Sequence, residues 1–146
     1  MGVTARGVRS VARVLTGSTY ALLGADAFRT PGGRVGTAGP LLASMRRVAP
    51  LPEDDELLVR ANAATMVVAG TALALGRFPR LAAAALVGSM VPTTLAGHSY
   101  WTHQDPAARA QQRIQFHKNM AMIGGLLLAV LDDPGREVAE DPQPAD

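Results

Sequence analysis

The chain has no cysteine. Disulfides, thiolate metal ligation and thiol–disulfide exchange are therefore excluded together, and any electron transfer would need a bound cofactor or a partner. Aromatic residues are also scarce, at 4% of 146 residues although 48% are hydrophobic, so a soluble fold would have to be a helical bundle with an Ala/Gly-rich core. Such a core buries little per residue. Charge is missing altogether from 81–97 and 119–131. A soluble helix should present polar residues at every turn, and Leu81 to Val91 offers no polar face. No Ser-His-Asp order, phosphate loop, carboxylate pair, HxxxH or HExxH spacing stands out, so His98, His103 and His117 are not read as metal ligands and no metal is expected.

What is present is segregated. The mean hydropathy of +0.14 is modest for a membrane protein, but it averages apolar runs with polar ends and hinges. Residues 1–131 hold thirteen Lys/Arg against six acids, whereas 132–146 hold one Arg against six acids. The arginines stand singly at the ends of apolar runs. That pattern suits anionic lipid headgroups and forms no stripe for nucleic acid.

Four apolar runs predict an all-α, four-transmembrane-helix bundle over 1–131, with spans at about 8–28, 57–76, 81–97 and 114–131. A cleaved signal peptide competes for the first run, because Ala25-Asp26-Ala27 imitates a small-residue cleavage site. Its weak apolar centre, broken by Thr16, Gly17, Ser18 and Thr19, favours a retained span. Between the first two spans, Leu41 to Val48 reads as an amphipathic helix lying in the membrane interface. Pro92 frees an acceptor and kinks the third span. Small residues four apart, at Gly70/Ala74, Ala84/Gly88 and Ala121/Gly125, are expected to pack helix against helix. The acidic tail 132–146 is expected to be disordered.

Spans that alternate in direction bring the polar residues to one membrane face. These are Asp26 and Arg29, then Arg60 and Asn62, then Thr93, Thr94 and His98, then His117, Lys118 and Asn119. Polar groups near hydrocarbon are costly unless they pair or line a wet cavity, so their convergence marks a candidate site. His117 shares a helix face with Ala121 and Gly125 and is expected to point inward. The plainer readings are that Asp26 and Arg29 form a local i, i+3 pair, that Lys118 snorkels, and that Tyr100 and Trp101 sit in an interfacial belt. The site side carries eight Lys/Arg and the terminal side six, a weak guide to orientation.

Five blocks carry a family pattern in order and spacing: Gly24-Ala25-Asp26-Ala27-Phe28-Arg29-Thr30-Pro31, the Asn62 region, Gly76-Arg77-Phe78-Pro79-Arg80-Leu81-Ala82, Val91-Pro92-Thr93-Thr94-Leu95-Ala96-Gly97-His98, and Gln115-Phe116-His117-Lys118-Asn119 leading to Gly124-Gly125-Leu126-Leu127. From about 12 to 132 the chain resembles the DoxX family, most closely its actinobacterial branch. The resemblance implies a multi-pass plasma-membrane protein with cytoplasmic termini, linked to membrane oxidoreductase assemblies that handle oxidative or thiol stress. It implies family positions at Asp26, Asn62, Thr93, Thr94, His98, Lys118 and Asn119.

The expected function is a quinone- or lipid-facing subunit supporting a partner oxidoreductase. The residues assigned to the headgroup are Asp26, Arg29, Asn62, Thr93, Thr94, His98, His117, Lys118 and Asn119, with quinone the cofactor considered and no catalytic residue assigned. A non-enzymatic scaffold or assembly factor is the alternative. A small-molecule permease is a third reading, one that would require a homo-oligomer.

Overall fold

In the computed structural model, which describes residues 2–132 and side chains from Ala5 onward, every regular element is helical. The elements are α1 (Gly2–Arg29), α2 (Gly33–Met45), α3 (Asp55–Ala74), α4 (Pro79–Gly97) and α5 (Pro106–Leu131), with a 3₁₀ turn at Tyr100–Thr102 before α5. The expectation of disorder beyond Asp132 falls outside the described residues.

Local chemistry sets the helix ends. The Asp54 carboxylate accepts from the Leu57 amide at 3.0 Å, and Asp55 and Glu56 place negative charge in the first turn of α3. At the other end Gly76 takes φ 67°, which lets its amide reach Leu73 O at 3.0 Å and the Arg77 amide reach Ala72 O at 2.8 Å. Pro79 then opens α4 at a position where a missing N–H costs nothing.

Three boundaries differ from the sequence reading. The last helix begins at Pro106 and not near 114, because Asp105 caps it by accepting from the Ala108 amide at 2.7 Å and Ala107 to Gln112 are good helix formers. Apolarity marks a span but not its polar extension. The helix expected over 41–48 instead spans Gly33–Met45 as α2, running through Pro40, and has no buried residue. Residues 46–48 are turns, held where Arg46 donates to Pro52 O and Asp55. α4 continues as one helix through Pro92.

The long helices alternate in direction. α1 packs on α3, α3 on α4 and α4 on α5, while α2 lies against α3 and α4. α3, the segment Pro79–Thr102 and α5 are each long and apolar enough to cross a membrane. α1 is not among these three, since it carries Arg6, Arg9, Arg13 and Asp26 and a polar centre at 16–19. A core of Tyr20, Leu73, Leu86 and Leu126 is buried inside, yet Leu15, Leu22, Val68, Leu81 and Leu128 stand exposed outside. An exterior this apolar on every long helix calls for a covering of lipid or protein.

The tightest seam is between α1 and α3. A Cβ built on Gly17 would collide with Gly70 O and lie 2.5 Å from Ala74 N, and one built on Gly24 would lie 2.8 Å from Ala63 O. Backbone therefore touches backbone. The Gly70/Ala74 pair packs as expected, but Ala84, Gly88, Ala121 and Gly125 are exposed, because α4 and α5 meet through Leu86, Met90, Ile123 and Leu126.

Gly17→Leu or Gly70→Leu should lower the stability of the detergent-solubilised protein by about 1–3 kcal/mol or prevent folding, as overpacking does. Gly88→Leu, where a built Cβ meets nothing within 4 Å, should leave the thermal midpoint nearly unchanged. Equal effects at Gly70 and Gly88 would rule out the close seam.

Candidate functional site

The end of the bundle where α1 finishes and α3 begins is tied by Arg60, which donates to Glu56 at 2.8 Å and to Phe28 O and lies 5.7 Å from the Phe28 ring centre. Two residues further along α3 begin the amide–hydroxyl pairs that join the helices. Asn62 Nδ2 on α3 donates to Thr93 Oγ1 at 3.1 Å, and Thr93 donates its own proton to Ser89 O at 2.8 Å. Asn119 Nδ2 on α5 donates to Thr94 Oγ1, also at 3.1 Å. Successive residues on a helix point about 100° apart, so Thr93 faces α3 while Thr94 faces α5. α4 is thus clasped from both sides, with Thr94 only 2% exposed.

His98 continues the line of contacts, its Nδ1 lying 2.8 Å from Gln112 Oε1. Next to it the 3₁₀ turn and α5 build an aromatic cluster. Tyr100, Trp101 and Phe116 have ring centres 5.1–5.8 Å apart in edge-to-face pairs, and Phe116 meets the His117 ring at 5.7 Å. His117 Nδ1 is 2.8 Å from Arg113 O. A carbonyl only accepts, so Nδ1 carries the proton and Nε2 is left with the lone pair of the neutral ring.

The remaining expected members are placed otherwise. Asp26 pairs with Arg34 at 2.8 Å and not with Arg29. The Pro31-Gly32 bend turns α2 back over the end of α1, and Arg34 also donates to Thr30 O at 2.9 Å. Arg29 is exposed on the last turn. His117 and Lys118 are exposed too, with Ala121 and Gly125 on the same outward face, whereas the inward face carries Asn119, Ile123 and Leu126. The Asn119–Thr94 bond fixes the rotation of α5, and His117, two residues earlier, is about 200° away from that contact. The inward placement inferred from the small-residue spacing is therefore corrected.

Sequence reasoning did not pick out Gln112, Arg34 or Phe116 as members of this region. Gln112 lay in a stretch assigned to a loop, and Arg34 depends on the bend before α2. Neither has a motif that would reveal it. Tyr20 and Ser89 are buried with hydroxyls that find no partner among the described residues. Among those residues no three His, Asp or Glu side chains gather as a metal site would require.

Space is distributed unlike polarity. Two adjoining cavities of about 430 and 260 Å³ lie at the far end of the bundle, lined in part by Arg9, Arg13, Leu73, Arg80 and Asp132. At the polar end the amide and hydroxyl groups mainly hold one another.

A sequence model of the DoxX family matches residues 8–99, from α1 to just beyond α4. No curated protein and no solved structure matches.

The two clasps should be separable by thermal denaturation in detergent. Asn62→Ala with Thr93→Val, and Asn119→Ala with Thr94→Val, should each show a coupling of about 0.6–1.7 kcal/mol in a double-mutant cycle. The cross cycle of Asn62→Ala with Asn119→Ala should couple more weakly than either. Strong coupling across and none within would show that the clasps are not formed.

Proposed function

Because the chain belongs to the DoxX family, as the match over well over half its length shows, we propose that this membrane protein is a non-catalytic accessory subunit. In this reading α1 joins the three membrane-type helices as a fourth span, α2 lies in the interface, and the protein is multi-pass in the plasma membrane with cytoplasmic termini. The carrying observation is the pair of clasps. Asn62 is bonded to Thr93 and Asn119 to Thr94, each across a helix pair, which is what holding helices in place requires. The tight α1–α3 seam supports embedding α1 to the same depth as its partner.

Outward-facing small residues supply the surface for a partner. Ala84 and Gly88 on α4 and Ala121 and Gly124 on α5 are exposed, and such residues let a neighbouring membrane helix approach closely. The partner proposed is the membrane segment of an oxidoreductase, with a second copy of this chain as the competing arrangement.

One observation favours a second reading, in which the rim of the polar end holds a quinone headgroup. The exposed His117 ring, with its Nε2 lone pair, stands beside the Tyr100 and Phe116 rings, and the exposed Lys118 follows it on α5. The Nε2 lone pair can accept from the hydroxyl of a reduced quinol and an ammonium can donate to a quinone oxygen, while aromatic edges flank the ring. Here His98, Asn62 and Asp26 act only by positioning the helices.

Affinity purification from the native membrane tests both readings. The accessory reading expects a stoichiometric protein partner, lost in Gly124→Leu, with no retained quinone. A stoichiometric quinone released by Lys118→Ala and His117→Ala would instead establish the second reading.

The absence of cysteine makes the four-span topology directly measurable. Ser10→Cys and Arg77→Cys should label from one side of sealed vesicles, and Thr37→Cys and Gln104→Cys from the other. Labelling of Ser10→Cys together with Gln104→Cys would remove α1 as a span.

A further inference from the structure

The short helix α2 is built unevenly along its length. Its first seven residues include Gly33, Gly36 and Gly39, and glycine is the weakest helix former after proline. Pro40 follows, with no N–H to give the Gly36 carbonyl, so the hydrogen-bond ladder is interrupted where the two halves join. No residue of either half is buried. Each half therefore depends on what ties it to the bundle.

The ties are unequal. At the carboxyl-terminal end the Arg46 guanidinium donates twice to Pro52 O, at 2.9 and 2.7 Å, and pairs with Asp55 at 2.5 Å, while Leu41, Leu42 and Met45 are half-buried. At the amino-terminal end Arg34 pairs with Asp26 at 2.8 Å and donates to Thr30 O, and the half-buried apolar side chains are the smaller Val35 and Ala38. The Arg34 and Asp26 side chains are 51% and 61% exposed, against 23% and 29% for Arg46 and Asp55. A pair so exposed contributes little and is screened by salt. Arg29 is exposed one turn from Asp26, with no partner among the described residues, and can take the place of Arg34 there.

We infer that residues 33–39 are a strap that melts and refolds while 40–45 stay docked, with Arg34 on Asp26 as its salt-sensitive latch. Such local opening belongs to segments with few buried contacts and exposed hydrogen bonds. Gly32, at φ 47°, and Pro40 bound the segment, so unwinding stops short of α1 and of the docked half. Opening exposes Val35 and Ala38 and leaves Asp26 to Arg29. The guanidinium left free at this edge of the bundle is then Arg29 when the strap is closed and Arg34 when it is open. The device depends on neither functional reading.

Thiol labelling of the detergent-solubilised full chain tests this, because an introduced cysteine is the sole one in the sequence. Ala38→Cys and Leu42→Cys report the two halves from half-buried positions one turn apart, each rate being taken relative to the same cysteine in denaturant. Ala38→Cys should label faster than Leu42→Cys, and faster still at high salt. Asp26→Asn should speed Ala38→Cys about fivefold at low salt and remove its salt dependence, the effect of losing one exposed pair. Gly36→Ala, whose Cβ meets nothing within 4 Å, should slow it about fivefold by favouring the helix. Leu42→Cys should respond to neither. The inference is overturned if the two cysteines label alike, if Asp26→Asn and Gly36→Ala both leave Ala38→Cys unchanged, or if either changes Leu42→Cys as much as Ala38→Cys. That last result would show that α2 opens as one piece.

Discussion

The backbone contact between α1 and α3 is the constraint on which the other packing choices rest. Gly17, Gly24 and Gly70 carry no side chain where the two helices cross, and each built Cβ would meet backbone atoms closer than van der Waals contact allows. Holding α1 this tightly on one neighbour removes it from the other. α3 then has its next face free for α4, α4 takes α5, and α1 and α5 are left approaching one another only at their terminal ends.

The second requirement is that polar groups surrounded by apolar side chains find partners within the chain. Thr93 and Thr94 meet it economically, because adjacent helix positions project toward two different neighbours and each receives one asparagine amide. A cluster satisfied in this way specifies helix rotation more than it creates chemistry. The rotation of α5 turns His117 and Lys118 outward, so the ionisable groups of the polar end lie at its rim while the neutral amides and hydroxyls lie inside. Tyr20 and Ser89 are exceptions, two buried hydroxyls without partners among the described residues.

The bundle therefore has unlike ends. One is closed by amide clasps, by Arg60 on Phe28 O and by an aromatic cluster. The other is held by separate arginine contacts around an apolar crevice.

The helical class, the membrane character of three segments, the alternation that gathers Asn62, Thr93, Thr94, His98 and Asn119 at one end, and the family were determined by the sequence alone. Hydropathy and spacing act locally, and short links force antiparallel neighbours. Only the tertiary structure decided which faces meet. Gly70/Ala74 and Ala84/Gly88 have the same spacing, yet one pair is a backbone seam and the other faces outward, because a small residue permits close approach without naming a partner. Asp26 likewise had Arg29 one turn away but pairs with Arg34, which a bend brings back over it. The crevice between α1 and α5 is the clearest case, since it is a space left by two helices that prefer other neighbours, and no single segment encodes it.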